Sequence, residues 1–176
     1  ELNAYIAAGV ESDHECISLE EAVEKLAKGM YIYIREGSTA KNLEDLLPVV
    51  NAVTESRCFF VDDDRDPKEL LELGHMNHIL RKAVELGLDP ITAVRMVTLN
   101  PARRFRLKGL GGIAPGWQAD LVVLEDLKEF KVLQVYKKGV KVAEDGRILR
   151  DDLPTPPPAP GAMNIAWDKT EGIGVR

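Results

Sequence analysis

The chain has 176 residues, 45% of them hydrophobic and 30% charged, which is the composition of an ordinary soluble globular protein of about one domain. The net charge of −6 argues against nucleic acid, because a duplex binder needs a concentrated basic face to displace phosphate counterions. No apolar run approaches the ~20 residues that span a bilayer, and no signal peptide opens the chain, so a membrane partner is not expected. The two cysteines, Cys16 and Cys58, are too few for a disulfide framework. A reduced, cytoplasmic setting is expected, with both thiols as small buried packing groups.

In chain order, Leu2 to Ala8 reads as the end of a helix stopped by Gly9. Val10 leads into the polar run Glu11-Ser12-Asp13-His14-Glu15. Ser18 and Glu21 form a capping box, and Leu19, Ala22, Val23 and Leu26 follow at helical spacing until Gly29. Met30 to Ile34 is the strongest strand pattern, aromatic and β-branched, and it ends in Arg35-Glu36-Gly37-Ser38. A helix with Leu43, Leu46, Leu47 and Val50 on one face comes next. The short apolar run Cys58-Phe59-Phe60-Val61 then ends in Asp62-Asp63-Asp64-Arg65. Helical patterns resume from Pro67 to about Leu86 and from Pro90 to about Thr98, the latter opened by Asp89-Pro90.

This is a βα rhythm of about three units with continuous apolar strands, as in a parallel sheet buried on both faces. Each strand ends in a charged cluster, which is where a (β/α)₈ barrel keeps its chemistry. A doubly wound sheet has the same rhythm, but no glycine-rich phosphate loop follows any strand here. After about Leu107 the character changes. Gly109, Gly111, Gly112, Pro115 and Gly116 make a turn-rich stretch, and strand patterns follow at Ala119 to Leu124, Lys131 to Lys138 and Val140 to Ala143. Lys138-Gly139 and Asp145-Gly146 are hairpin signals, so a small antiparallel sheet is expected. Five prolines between Leu153 and Pro160 predict a stiff linker, and the tail to Arg176 is too short to build a core.

Three polar clusters carry chemistry. His14, just past a strand, offers a neutral imidazole to a divalent metal, with neighbouring carboxylates to fix its tautomer; the alternative is a structural or merely exposed histidine. Asp62-Asp63-Asp64 repel one another unless a cation is near, and that cation is either Arg65 or a metal. Arg35 and Glu36 form either an internal ion pair or a contact to a polar substrate ring. His75 and His78 share a helix face, and a surface or packing role is expected for them. The basic groups Arg103-Arg104-Phe105-Arg106 and Lys137-Lys138 read as solvated surface.

Taken together, Ala8 to Cys16, Ile34 to Ser38, Asp63-Asp64-Arg65, Gly74 to His78 and Asn100-Pro101-Ala102 resemble the second half of bacterial adenine deaminases, members of the amidohydrolase superfamily. So does Leu110 to Gly116, ending in Ala119 to Leu124, a block that in the superfamily enters a small β-domain beside the barrel. The match covers about residues 1–150. The resemblance implies the C-terminal portion of a (β/α)₈ TIM-type barrel in residues 1–107, a small β-domain in 108–150, and a linker with the truncated start of a C-terminal domain in 151–176. Val10 to His14, Met30 to Glu36 and Cys58 to Asp63 would be barrel strands six, seven and eight, with His14 a metal ligand. Asp63 would bind metal and carry the proton. Where the family has Thr-Asp-Asp this chain has Asp62-Asp63-Asp64, which leaves open which of the three faces the metal.

The implied reaction is hydrolysis of the purine base adenine to hypoxanthine and ammonia, as in purine salvage, with manganese or iron as the expected metal and zinc as an alternative. Strands one to five and their ligands are not in this sequence, so the chain reads as a fragment, inactive alone, of a protein expected to be a homo-oligomer. The competing readings are another amidohydrolase acting on a cyclic amide, and a non-catalytic module.

Overall fold

Strand and helix alternate from the start of the computed structural model, which describes residues 1–149. The helix α1 (Leu2–Ala7) ends at Gly9, whose φ of +92° suits only glycine without strain. Strand β1 (Ser12–Asp13), helix α2 (Leu19–Ala27) and strand β2 (Tyr31–Arg35) make the first unit. The Ser18 hydroxyl accepts from the Glu21 amide at 3.3 Å, while the Glu21 carboxylate takes the Ile17 amide at 3.4 Å. The N-cap half of the capping box is in its usual register, and the return bond falls one residue early, on Ile17 instead of Ser18.

The helix expected over Leu43 to Val50 is shorter than its pattern. It is α-helical only over α3 (Leu43–Leu46) and tightens to a 3₁₀ turn at Leu47–Val49. Pro48 is the cause, since it has no N–H to continue the ladder. Strand β3 (Cys58–Val61) follows. The long helical stretch expected from Pro67 is two helices, α4 (Pro67–Glu72) and α5 (Met76–Glu85). They are divided at Gly74, which has φ +101°. Helix α6 (Pro90–Val97) starts as expected, with the Thr92 amide donating to Asp89 Oδ2 at 2.8 Å. A further helix, α7 (Leu99–Arg104), has no counterpart in the sequence reading.

The strands β1, β2 and β3 lie side by side and parallel in that order, with Asp13 opposite Ile32 and Arg35 opposite Val61. The side chains of Ile32, Ile34, Cys58 and Phe60 leave the sheet on the helix side and join Leu43, Leu46, Ile79 and Met96 in the core. Full burial of each such aliphatic or aromatic side chain contributes ~1.5–3 kcal/mol. On the opposite face Tyr33 and Phe59 pack with ring centroids 4.3 Å apart, and Phe105 edges against Phe59 at 6.4 Å. Arg35 stands on this second face, two residues beyond Tyr33.

The remaining strands, β4 (Leu121–Leu124), β5 (Val132–Lys137), β6 (Val140–Glu144) and β7 (Arg147–Ile148), form an antiparallel meander. Both expected turns close it. Lys138 and Gly139 have φ of 51° and 78°, and Asp145 and Gly146 have 46° and 75°, the left-handed pairs of a two-residue hairpin. Phe130, fully buried, joins the same core as the parallel sheet, and Arg81 of α5 donates to the Glu129 carbonyl at 3.0 Å. The described residues thus form a mixed α/β structure with one parallel and one antiparallel sheet. The linker and tail expected at 151–176 lie outside the described residues.

Candidate active site

All three parallel strands deliver polar residues to the same end of the sheet. At the end of β1, Asp13 turns to the helix side, where Lys25 Nζ meets its carboxylate at 2.5 Å. The next residue, His14, is half-exposed, and its Nε2 lies 3.1 Å from Glu15 Oε1. The other oxygen of Glu15 accepts from Arg35 Nη1 at 2.9 Å. The same nitrogen reaches Asp63 Oδ2 at 3.3 Å, and Arg35 Nε donates to Asn42 Oδ1 at 3.1 Å. His14, Glu15, Arg35 and Asp63 therefore form one continuous polar chain across the ends of β1, β2 and β3.

The three consecutive aspartates have three different environments. Asp62 pairs with His75 Nε2 at 2.5 Å. Asp63, with φ +56°, points to Arg35. Asp64 accepts from the amides of Ser38 and Thr39 at 3.1 and 3.0 Å, and from the Thr39 hydroxyl. That hydroxyl, foremost, holds the Asp64 carboxyl below the usual range. Arg65 does not neutralise the triplet. It donates to the Glu36 carbonyl at 3.1 Å and approaches Glu69 Oε2 at 3.7 Å.

Arg35 and Glu36 do not share a face. Glu36 is only 2% exposed and lies on the helix side, where Lys82 of α5 bonds Oε1 at 2.7 Å. The histidines at the start of α5 also diverge: His75, just before the helix, is exposed, whereas burial, helped by Arg65, lowers the His78 pKa. Arg104 departs from the solvated role read from sequence. It stacks 4.8 Å over the Tyr31 ring and pairs with Glu11 at 2.9 Å. Sequence reasoning took in Glu15 only as a carboxylate beside His14, and it passed over Asn42 and Lys82. Adjacency to His14 pointed to Glu15, but nothing local marks Asn42 or Lys82, because the fold brings them in from other elements.

Among the described residues, one set of three ligand-type side chains lies in mutual reach: Asp13, Cys16 and Glu21. Lys25 already serves as its cation, 2.5 Å from each carboxylate and 3.5 Å from the sulfur. Burial, with the neighbouring Asp13 carboxylate, pushes the Cys16 thiol up to about 12, so thiolate ligation is disfavoured there. The imidazole of His14 and the carboxylate of Asp63 are better suited to a hard or borderline divalent ion.

The pattern of the amidohydrolase family matches residues 1–142. The chain belongs to the amidohydrolase family. Similar proteins include "Adenine deaminase 2" of Carboxydothermus hydrogenoformans, 55% identical over 154 residues, which make up 88% of this chain and 27% of that protein. The adenine deaminase of Desulfatibacillum aliphaticivorans is 52% identical over 169 residues, 96% of this chain and 30% of that one. The resemblance read from the rim motifs is borne out by these relatives. The chain spans about 27–30% of the length of these curated relatives. Among solved structures, the N-acetyl-D-glucosamine-6-phosphate deacetylase of Mycobacterium smegmatis superposes with TM-score 0.62 at 25% identity, over 78% of this chain and 43% of that one. A beta-aspartyl dipeptidase of Fervidobacterium islandicum AW-1 gives 0.60 at 20% identity, over 75% of this chain and 38% of that chain, which speaks to the fold alone.

Proposed function

We propose that this chain supplies the sixth to eighth strands of an amidohydrolase barrel, with residues 108–150 as its small β-domain, and that the full-length protein carrying it deaminates adenine to hypoxanthine and ammonia. The observation that carries the reading is the polar chain from His14 through Glu15 and Arg35 to Asp63, across three parallel strand ends. The 45–55% identity to proteins named adenine deaminase supports the choice of substrate.

His14 and Asp63 are the proposed ligands of a divalent metal, manganese or iron by ligand type, with zinc also compatible. Such a metal, when bound, brings the pKa of a water toward neutrality. Glu15 holds the His14 imidazole at Nε2, which leaves Nδ1 as the free donor nitrogen. The Asp63 carboxylate takes the proton of the attacking water and returns it to the departing amino nitrogen, a general base turned general acid. Arg35 keeps that carboxylate turned to the open face of the sheet. Glu36, turned to the helix side and bonded there by Lys82, supports this arrangement from behind.

The test is made on the full-length protein carrying these residues. Adenine loss and bound metal are measured for the wild type and for His14→Ala and Asp63→Ala. Loss of both metal and turnover in the variants is expected. Unchanged metal content and rate would leave only a non-catalytic module, and turnover of another cyclic amide in preference to adenine would reassign the substrate.

A further inference from the structure

We propose that the Lys82–Glu36 pair, its carboxylate buried and its ammonium half-buried, is together with Arg65 a positioning device that sets the Arg35–Asp63 contact from the back of the sheet. This rests on the reading of Asp63 as a metal ligand given above. Glu36 is joined to Arg35 by a single peptide bond, and Arg65 lies two residues beyond Asp63. On the front of the sheet Arg35 meets Asp63 at 3.3 Å. On the back, Lys82 holds the Glu36 carboxylate at 2.7 Å and Arg65 holds the Glu36 carbonyl at 3.1 Å. Each front partner therefore has a back partner in the same turn of chain.

The rest of the two loops reinforces this clasp. Asp64 bonds the loop after β2, and the Ser38 hydroxyl donates to Glu69 at 2.7 Å and accepts the Asp66 amide at 2.8 Å. Between them sits Asp63 in a left-handed conformation that a non-glycine residue keeps only when its surroundings impose it.

Stability does not explain the arrangement. An ion pair with one partner buried and the other half-buried is a weak source of stability, and apolar replacements of both partners are often neutral or better. Here Glu36 Oε2 and Arg65 Nε and Nη2 are buried without a hydrogen-bond partner among the described residues, which makes the cluster costlier still. What the cluster does supply is geometry. Helix α5 and the His75 that precedes it meet the rim twice, through His75 on Asp62 and through Lys82 on Glu36, so they fix the ends of β2 and β3 relative to each other.

The experiment titrates manganese into the metal-free full-length protein carrying this chain, with thermal melts run in parallel. Lys82→Met and the double variant Glu36→Met/Lys82→Met are each expected to weaken manganese binding by about tenfold, as loss of supporting contacts around metal ligands commonly does. If Lys82→Met does not fold, the double variant, which leaves no lone charge at this pair, carries the test. Manganese affinity equal to wild type in the folded double variant would overturn the proposal. In an Asp63→Ala background, Lys82→Met should have no further effect, whereas a merely structural role gives additive losses and would overturn it too. Asp63→Ala alone separates the two levels of inference. If it leaves manganese binding intact, the underlying metal reading fails. If it weakens binding while the Lys82 variants do not, only the positioning role fails.

Discussion

Asp62, Asp63 and Asp64 show how far identical neighbours diverge once a strand end and a loop assign them directions. Alternation along β3 sends Asp62 toward α5 and Asp63 to the open face, while Asp64 is taken up by the loop after β2. The sequence marked the triplet but left three candidates, because their difference depends on partners 13 to 28 residues away. Asp63→Asn in the full-length protein should lower turnover by ~10²–10⁴-fold, the usual worth of a positioned acid–base group, while Asp64→Asn perturbs chiefly the loop. Steady-state rates on adenine check this. The cysteines give a simpler prediction. Burial pushes the thiols of both Cys16 and Cys58 up to about 12. Neither should react with a thiol reagent in the native state, and both should react after denaturation; fast labelling of the native chain would contradict their burial.

The elements were most legible where one residue type decides the geometry. Aromatic and β-branched runs marked β2 and β3, Ser18 and Asp89 marked helix starts, and two left-handed pairs marked the hairpins. Length was less legible: Pro48 and Gly74 cut two helical patterns that hydrophobic spacing alone would continue. The helix α7 was missed because its polar and proline-containing run, Asn100-Pro101, gives no apolar stripe, and it is held by tertiary bonds such as Asn100 Nδ2 to the Glu55 carbonyl at 2.7 Å. At Gly37 two loops come so close that a Cβ would fall on Asp64 Oδ1 and the Asp62 carbonyl. Gly37→Ala should therefore destabilise by ~1–3 kcal/mol, the range for overpacking, as read by chemical denaturation. In the second sheet the Lys137 ammonium, aided by the Lys138 amide, holds the Asp120 carboxyl down to about 2. A depressed carboxyl stabilises above its unfolded value near 4 and loses that contribution as pH falls through about 2. An NMR titration should place the Asp120 midpoint near 2; a midpoint near 4 would show that the Lys137 contact does not persist.

At the scale of the molecule, the helix side of the parallel sheet is filled and the other side is only partly covered. Tyr33 and Phe59 pack there with Phe105, which remains 56% exposed. Among the described residues the outer edges of β1 and β3 have no strand partner. Unpaired edges beside apolar surface favour association. The isolated chain should self-associate or bind the complementary barrel segment in sedimentation experiments; a monomer with cooperative unfolding would contradict this. No helix among the described residues is long and apolar enough to cross a membrane. The most direct test of a shared metal between His14 and Asp63 is anomalous diffraction at the manganese edge from crystals of the full-length protein carrying this chain. A peak within ~2.0–2.3 Å of both a His14 ring nitrogen and an Asp63 carboxylate oxygen is predicted. A manganese peak bonded to neither residue would contradict it.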